Sequence, residues 1–358
     1  MNRTMSPTRR QALALLAGTM TLATTPAWSQ AAVTAFPYYS GEQALQGLYG
    51  HHLPPLASAF ETEAQALTAV ARQHCAGTAS ADAVLAAWRR ALLAWQTLSS
   101  PALGPVVERR SQRLVDFWPA RPALLQKALV HAPQTLADME RVGSPAKGFP
   151  AMELLLSGEQ GTPPCPFLVL VAQGIEVEAT ALRAGFASAA ARDWTDDEEV
   201  ARTAFAEWIN QWLGGLERLR WTFIEQPVQR ASTTGNGRPP EFARRTGPDN
   251  VAEWQTQWRA LHTQARLAPG PTSRPPQPGQ DLIPIEALLM GKGHIALARR
   301  WAQVLDMADA AMQALPAQPA GAELMALSKT LKSATTLYQG EVASALDVPL
   351  GFSDADGD

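Results

Sequence analysis

Apolar positions recur along this chain at spacings of three and four, and no useful length alternates with a period of two. Such spacing places one buried stripe on each of a series of helices and predicts an all-α fold. The clearest stripe lies between Ala81 and Thr97, where Leu85, Trp88, Leu92 and Trp95 share a face. A helix is predicted from Glu42, broken or kinked at Pro54-Pro55, resuming from Glu61 to Gln73. A long one follows from Pro166 to about Ala190, and another buries Phe205, Trp208, Trp212 and Leu216 and ends by Pro227. Trp254, Trp258 and Leu261 mark the next, and two more run from about His294 to Leu315 and from Ala320 to Leu346. Capping-box patterns place helix starts at Thr195 with Glu198 and at Asn250 with Glu253. Phe36 to Tyr39 reads as an extended lead-in and residues 231–240 as a loop. Residues 269–280, with five prolines in twelve positions, read as an irregular connector.

A chain of 358 residues exceeds what one core usually organises. The expected organisation is two tandem four-helix-bundle-like halves, residues 30–192 and 193–358, with a boundary in the polar run Asp193 to Glu199. Residues 1–29 read differently. Ser6-Pro7-Thr8-Arg9-Arg10-Gln11, the apolar run Ala12 to Ala23 and then Ala27-Trp28-Ser29 form a twin-arginine type signal peptide. The apolar run is too short to span a bilayer as an ordinary helix, so the expectation is a soluble periplasmic protein with no transmembrane segment. The signal holds three arginines and no acid, so the net charge of −3 becomes −3 − 3 = −6 for the exported chain. An acidic balance argues against nucleic acid as a partner.

Two short segments echo one another. Gly148 to Gly158 places Glu153 within an apolar run between Pro150, suited to a first helical turn, and Gly158, suited to a stop. Ile283 to Gly291 aligns Glu286 with Glu153 and Gly291 with Gly158, which suggests internal duplication of one structural unit. Each Glu reads in two ways: as a helix-end residue answering unpaired N–H groups, or as half of a carboxylate pair converging on one site.

The six histidines include no His-Glu-x-x-His, and His51-His52 is the only local pair. Gly-x-Ser-x-Gly, phosphate loops and dinucleotide fingerprints are missing too, which leaves Ser-type hydrolases and nucleotide enzymes without support. The remaining chemistry is oxygen-rich. Glu153, Glu286, Asp116, Asp354, Asp356 and Asp358 are candidate hard ligands for a cation, with Glu153, Glu286, Asp356 and Asp358 the candidate metal set. Arg113, Arg244 and Arg245 are candidates to pair with these acids or with an anionic chelate, and Glu153, Glu286, Arg113, Asp116 and Arg245 form the candidate ligand-binding set. Cys75 and Cys165, in an oxidising compartment, suit one disulfide, with two buried thiols as the other reading.

Taken in order, several pieces resemble the imelysin-like proteins. They are the helix ending in Cys75, Ala87 to Gln96, Phe117-Trp118-Pro119, Gly148 to Gly158, Arg244-Arg245-Thr246-Gly247, and the ending from Leu350-Gly351-Phe352 to Asp358. The resemblance implies two helical-bundle halves with a site between them, a bacterial envelope location and a part in iron or other metal uptake. Some relatives are classed as peptidases. Where the family carries Gly-x-His-x-x-Glu, this chain reads Gly148-x-Pro150-x-x-Glu153, with no histidine to ligate a catalytic metal. The function expected is a non-catalytic periplasmic binding protein for iron, another cation or a metal chelate, working with envelope uptake proteins. The alternatives are a metal-dependent peptidase and a partner-docking envelope protein.

Overall fold

The periodicity is realised as helices, and no strand occurs among the described residues, which in this computed structural model are 36–157, 164–233, 238–268 and 274–351. In chain order the helices are α1 (Gly41–Leu45), α2 (Leu53–Cys75), α3 (Ala81–Leu98), α4 (Pro105–Glu108), α5 (Ser111–Val115), α6 (Pro122–His131), α7 (Leu136–Met139) and α8 (Gly148–Leu156). They continue as α9 (Cys165–Ala190), α10 (Glu198–Glu217), α11 (Gln226–Thr233), α12 (Gly247–Ala265), α13 (Ile285–Gly291), α14 (Ile295–Gln313), α15 (Gly321–Leu337) and α16 (Ala343–Ala345). Three wider π-helical stretches, Gln46–His52, Arg218–Glu225 and Tyr338–Val342, carry one helix into the next. Pro54-Pro55 therefore does not break the first helix. Both prolines sit in the opening turn of α2, directly after a π stretch, where a missing N–H costs least. Pro227 likewise lies inside a continuing helix, so the helix expected to end there runs on to Thr233.

The helices sort into two groups. In one, α2 lies between α3 and α9, and α8 packs on α3 and α9. In the other, α12, α14 and α15 pack in series, with α10 against α12 and α15. The seam between the groups is α3 against α12. The lead-in crosses over: α1 packs on α10, and the Tyr39 hydroxyl donates to the Pro276 carbonyl at 2.9 Å. α9 is the one helix among the described residues long and apolar enough to cross a membrane; here it is packed against α2 and holds the buried Glu178.

Tryptophan builds the core and anchors it. The rings of Trp88, Trp208, Trp212 and Trp301 are buried, and their indole N–H groups donate to Phe149 O, Gln264 Oε1, Leu261 O and Ala265 O at 2.8–3.2 Å. Each ring thus adds buried apolar area and fixes its helix's register with a directional bond. Trp212, Tyr338 and Trp301 pack with ring centroids within 5.6 Å of one another in the second group, Tyr338 stacked on Trp212 and Trp301 edge-on to it.

Two helix starts differ from the sequence pattern. Asp197 caps α10 by accepting from Val200 N–H at 3.1 Å, while Thr195 bonds instead to Asp193. Thr246 caps α12, accepting from Asp249 N–H at 3.2 Å, which leaves Asn250 and Glu253 inside the helix for other work. In each case a cap-competent side chain stood a few residues away, and the chain used that one.

A disulfide joins Cys75 at the end of α2 to Cys165 at the start of α9, with Cα atoms 5.5 Å apart. It closes a loop spanning 90 residues, for which the chain-entropy model gives about 4 to 5 kcal/mol. Reduction, or Cys75→Ala with Cys165→Ala, is expected to lower unfolding free energy by about that amount in urea titrations and to leave far-ultraviolet helicity unchanged.

Candidate functional site

Gly148 starts the construction. Its φ of +66° lies in the left-handed region, and a Cβ there would stand 2.2 Å from the Val115 carbonyl oxygen. Only glycine lets the start of α8 press against the end of α5. That contact fixes the backbone beside Asp116, the residue after α5. Gly291 serves the same purpose in α13, where a Cβ would stand 2.4 Å from the Pro37 carbonyl oxygen.

Asp116 is buried and receives the guanidinium of Arg244, whose Nη2 donates to both of its oxygens at 2.8 Å. Arg244 comes from the irregular segment before α12 and also donates to Glu253, from Nε at 2.6 Å and Nη2 at 2.9 Å. Gln96 of α3 reaches the same place, its amide donating to Asp116 at 2.8 Å and to Glu253 at 2.7 Å. Gln257 of α12 donates to Gln96 and Glu253, and Asn250 holds the Arg244 backbone in both directions. Nearer the start of α12, Arg89 of α3 grips Asp249 with two bonds of 2.6 and 3.2 Å. The α3–α12 seam is therefore polar along the positions 89 and 96 of one helix and 249, 253 and 257 of the other.

The charges follow from burial. Burial alone would lower the Arg244 pKa, but Asp116 and Glu253 outweigh it and the net shift is upward, so this cation does not titrate in the working range. Burial pushes the Glu253 carboxyl from its ordinary 4.5 up to about 7; Arg244 opposes the rise, and Asp116 and Glu153 add to it. Arg218, on the π stretch after α10, approaches from the other side and donates to the Ser99 carbonyl at 3.2 Å, its pKa lowered by burial. The Nη1 of Arg244 is buried and has no hydrogen-bond partner among the described residues, although buried polar groups are ordinarily hydrogen-bonded.

The residues singled out in the sequence do not all come together. Asp116 is at the centre. Glu153 is next to it: buried, accepting from Arg245 N–H at 2.8 Å and within the field of Arg244. Its pKa is raised by burial and not by Glu286, which lies elsewhere. Glu286 accepts from Leu267 N–H at 2.8 Å and from Arg266 at 2.6 Å. Arg245 and Leu267 flank the two ends of α12, so the two carboxylates are about 28 Å apart by the rise of that helix. Neither answers the N–H groups of its own helix; each takes a backbone N–H at one flank of α12. Of the arginines, Arg244 is buried with its side chain in the cluster, while Arg245 is exposed and its backbone N–H donates to Glu153. Arg113 is exposed on α5 and stands apart from the network. Gly158, Asp354, Asp356 and Asp358 lie outside the described residues.

A bare cation does not fit what is assembled. Among the described residues no three His, Cys, Asp or Glu side chains converge as a metal-binding group. Asp116 and Glu253 are engaged by Arg244, and Glu153 by a backbone N–H. His52 is buried, which lowers its pKa to about 4, and so is the ring of His262 in large part.

Fold and site together define an all-helical protein in which two helix groups meet on a buried arginine–carboxylate centre. The chain belongs to the imelysin family: the family model, peptidase M75, matches residues 53–347. The structure is similar to that of an imelysin-like protein from Psychrobacter arcticum 273-4, with a TM-score of 0.70 at 16% identity over 89% of this chain and 100% of that one. It is also similar to a candidate iron-regulated protein A precursor from Parabacteroides distasonis ATCC 8503, with a TM-score of 0.67 at 13% identity over 86% and 95% of the two chains. No curated protein sequence matches this one.

Two expectations follow from the geometry. Glu153→Ala and Glu286→Ala each strand one backbone N–H at a flank of α12, and each should cost about 1 to 3 kcal/mol in urea unfolding. Their separation predicts that the double variant is additive within about 0.5 kcal/mol; a larger coupling would contradict the placement. The second concerns pH. Glu253 carries its proton in the folded state at pH values where the unfolded chain has lost it. The stability it contributes is full below about 4.5 and is lost as pH rises through about 7. Between pH 5 and 8 the unfolding free energy of the native protein, read from urea titrations, should therefore fall relative to Glu253→Gln by an amount on the order of 2 kcal/mol; parallel curves would refute the assignment.

Proposed function

We propose that this protein is a non-catalytic binding protein of the imelysin type, exported to the bacterial envelope and serving iron acquisition. In this reading it takes the metal as an oxygen-rich anionic chelate, at the junction of the two helix groups, and passes it to envelope uptake partners. The observation that carries the reading is the convergence of separate family-like segments. Gln96, Glu153 and Arg244-Arg245 lie in three of them, Asp116 directly precedes a fourth, Phe117-Trp118-Pro119, and all meet within one hydrogen-bonded cluster. At that cluster the carboxylates are already engaged, while a guanidinium nitrogen has no partner, which favours an anionic oxygen ligand over a bare ion. The twin-arginine pattern at the N-terminus supports export. The relative described as a candidate iron-regulated protein A precursor supports the link to iron.

Calorimetric titration of the exported form with citrate, ferric citrate, and ferrous, ferric, copper and zinc salts tests this. Saturable binding of ferric citrate is expected, with bare ferrous or zinc ions at least about tenfold weaker, a gap of roughly 1.4 kcal/mol. Arg245→Ala should weaken the chelate with the melting temperature preserved. Tight stoichiometric binding of a bare ion, or cleavage of a protein substrate that requires Glu153, would refute the proposal.

A further inference from the structure

A second place in the molecule is built to receive a ligand and takes no part in the α3–α12 network. A cleft of about 540 Å3 opens among α4, the C-terminal part of α9 and the first turns of α10. Tyr49 and Trp194 form its aromatic wall, 3% and 5% exposed, with ring centroids 5.1 Å apart. Three carboxylates, Glu108, Glu199 and Glu207, line it as well, of which Glu199 is paired with Arg202. Glu207 comes from α10 and is half-buried; one of its oxygens accepts from Gly104 N–H at 3.0 Å, and it pairs with no cation among the described residues. Burial raises its pKa and the field of Glu108 adds to the rise, the mark of a carboxylate without a counter-charge. Arg109, also on the lining, does not supply one, because Glu178 holds it through two bonds of 2.9 and 2.7 Å.

Two further observations point to what is missing. The hydroxyl of Tyr49 makes no hydrogen bond among the described residues and is open to the cleft, while the rest of the residue is almost wholly buried in the cleft wall. A phenol placed so offers its oxygen to a bound donor. In addition, the Arg192 guanidinium lies over the face of Trp194, 5.2 Å from the ring centroid. The wall already accommodates a planar cation, tethered and at the exposed rim.

We propose that this cleft binds a small organic cation, a primary amine or guanidinium compound, held by Glu207 and Glu108 against the aromatic wall of Tyr49 and Trp194. An ammonium group has three donors, enough for the free oxygen of Glu207, for Glu108 and for the Tyr49 oxygen. Its alkyl chain covers the rings, and the cation is attracted to their faces. A divalent metal ion is served less well: Glu199, the third carboxylate on the lining, is paired with Arg202, and no three His, Cys, Asp or Glu side chains among the described residues converge as a metal-binding group. Arg192 competes for the Trp194 face and acts as an internal stand-in that the ligand displaces.

The test uses the full exported chain and three variants, Glu207→Gln, Tyr49→Phe and Arg192→Ala. Glu207→Gln keeps an acceptor for Gly104 N–H and removes only the charge, so folding is preserved. Agmatine, putrescine and spermidine are titrated by calorimetry and by tryptophan fluorescence, with calcium chloride and citrate in parallel. At least one amine is expected to saturate the site, with affinity reduced about tenfold or more in Glu207→Gln, reduced in Tyr49→Phe and raised in Arg192→Ala. Amine binding unchanged in Glu207→Gln would overturn the proposal. So would an absence of saturable binding for all three amines at millimolar concentration, or calcium binding that Glu207→Gln abolishes while the amines do nothing. Citrate binding here is unaffected by either result, so the chelate reading stands or falls separately.

Discussion

The contact on which the two helix groups depend is the guanidinium of Arg244 between Asp116 and Glu253. All three side chains are at most 1% exposed. Taking such charges out of water costs several kcal/mol per ion, and mutual attraction offsets this only when the remaining donors and acceptors are also satisfied. The amides of Gln96 and Gln257 satisfy most of them, and Asn250 pins the backbone that delivers Arg244. The construction is a poor way to gain stability and a good way to gain uniqueness. Deleting one member leaves an uncompensated buried charge, and a slip of α3 along α12 would separate every pair at once.

α12 is positioned from both of its flanks by the echoing segments. Glu153, from α8, fixes the backbone before it, and Glu286, from α13, fixes the backbone after it. The similarity between Gly148 to Gly158 and Ile283 to Gly291 accompanies similar tasks, namely a short helix and a carboxylate accepting a neighbour's N–H, while the close-approach glycines Gly148 and Gly291 stand at opposite ends of their helices. It does not correspond to one shared site. Sequence likeness was silent about the distance between the two segments, which the length of α12 decides.

How far the chain could be read from its residues differs by level for physical reasons. Helices were legible because apolar spacing is local, and Trp88, Trp95, Trp208, Trp212, Trp254 and Trp258 are all buried as that spacing demands. Helix starts were less so, since Thr195 and Asn250 had competent neighbours in Asp197 and Thr246. Asp116 and Glu153 were legible in the site, standing alone in apolar or aromatic surroundings. Glu253 and Gln257 were not: they stand directly before Trp254 and Trp258 in sequence, on an arc that looks like a solvent face until α3 covers it. One signal was present. Gln96 sits one helical turn beyond Leu92 on the buried stripe of α3, and a polar group there requires a polar partner across the seam.

Pro150 bears on what this site can do. It is buried in the opening turns of α8, where the family pattern has histidine, and proline can neither bind a metal nor carry a proton. Without an imidazole at that position, proton exchange near neutral pH at the centre falls to Glu253, whose carboxyl is raised to about 7, while Arg244 stays charged throughout. The net charge of the cluster therefore becomes more negative as pH rises through that value. An anionic ligand would meet growing repulsion over the same interval. In the chelate-binding role proposed above, affinity would be tied to the protonation of one buried glutamate.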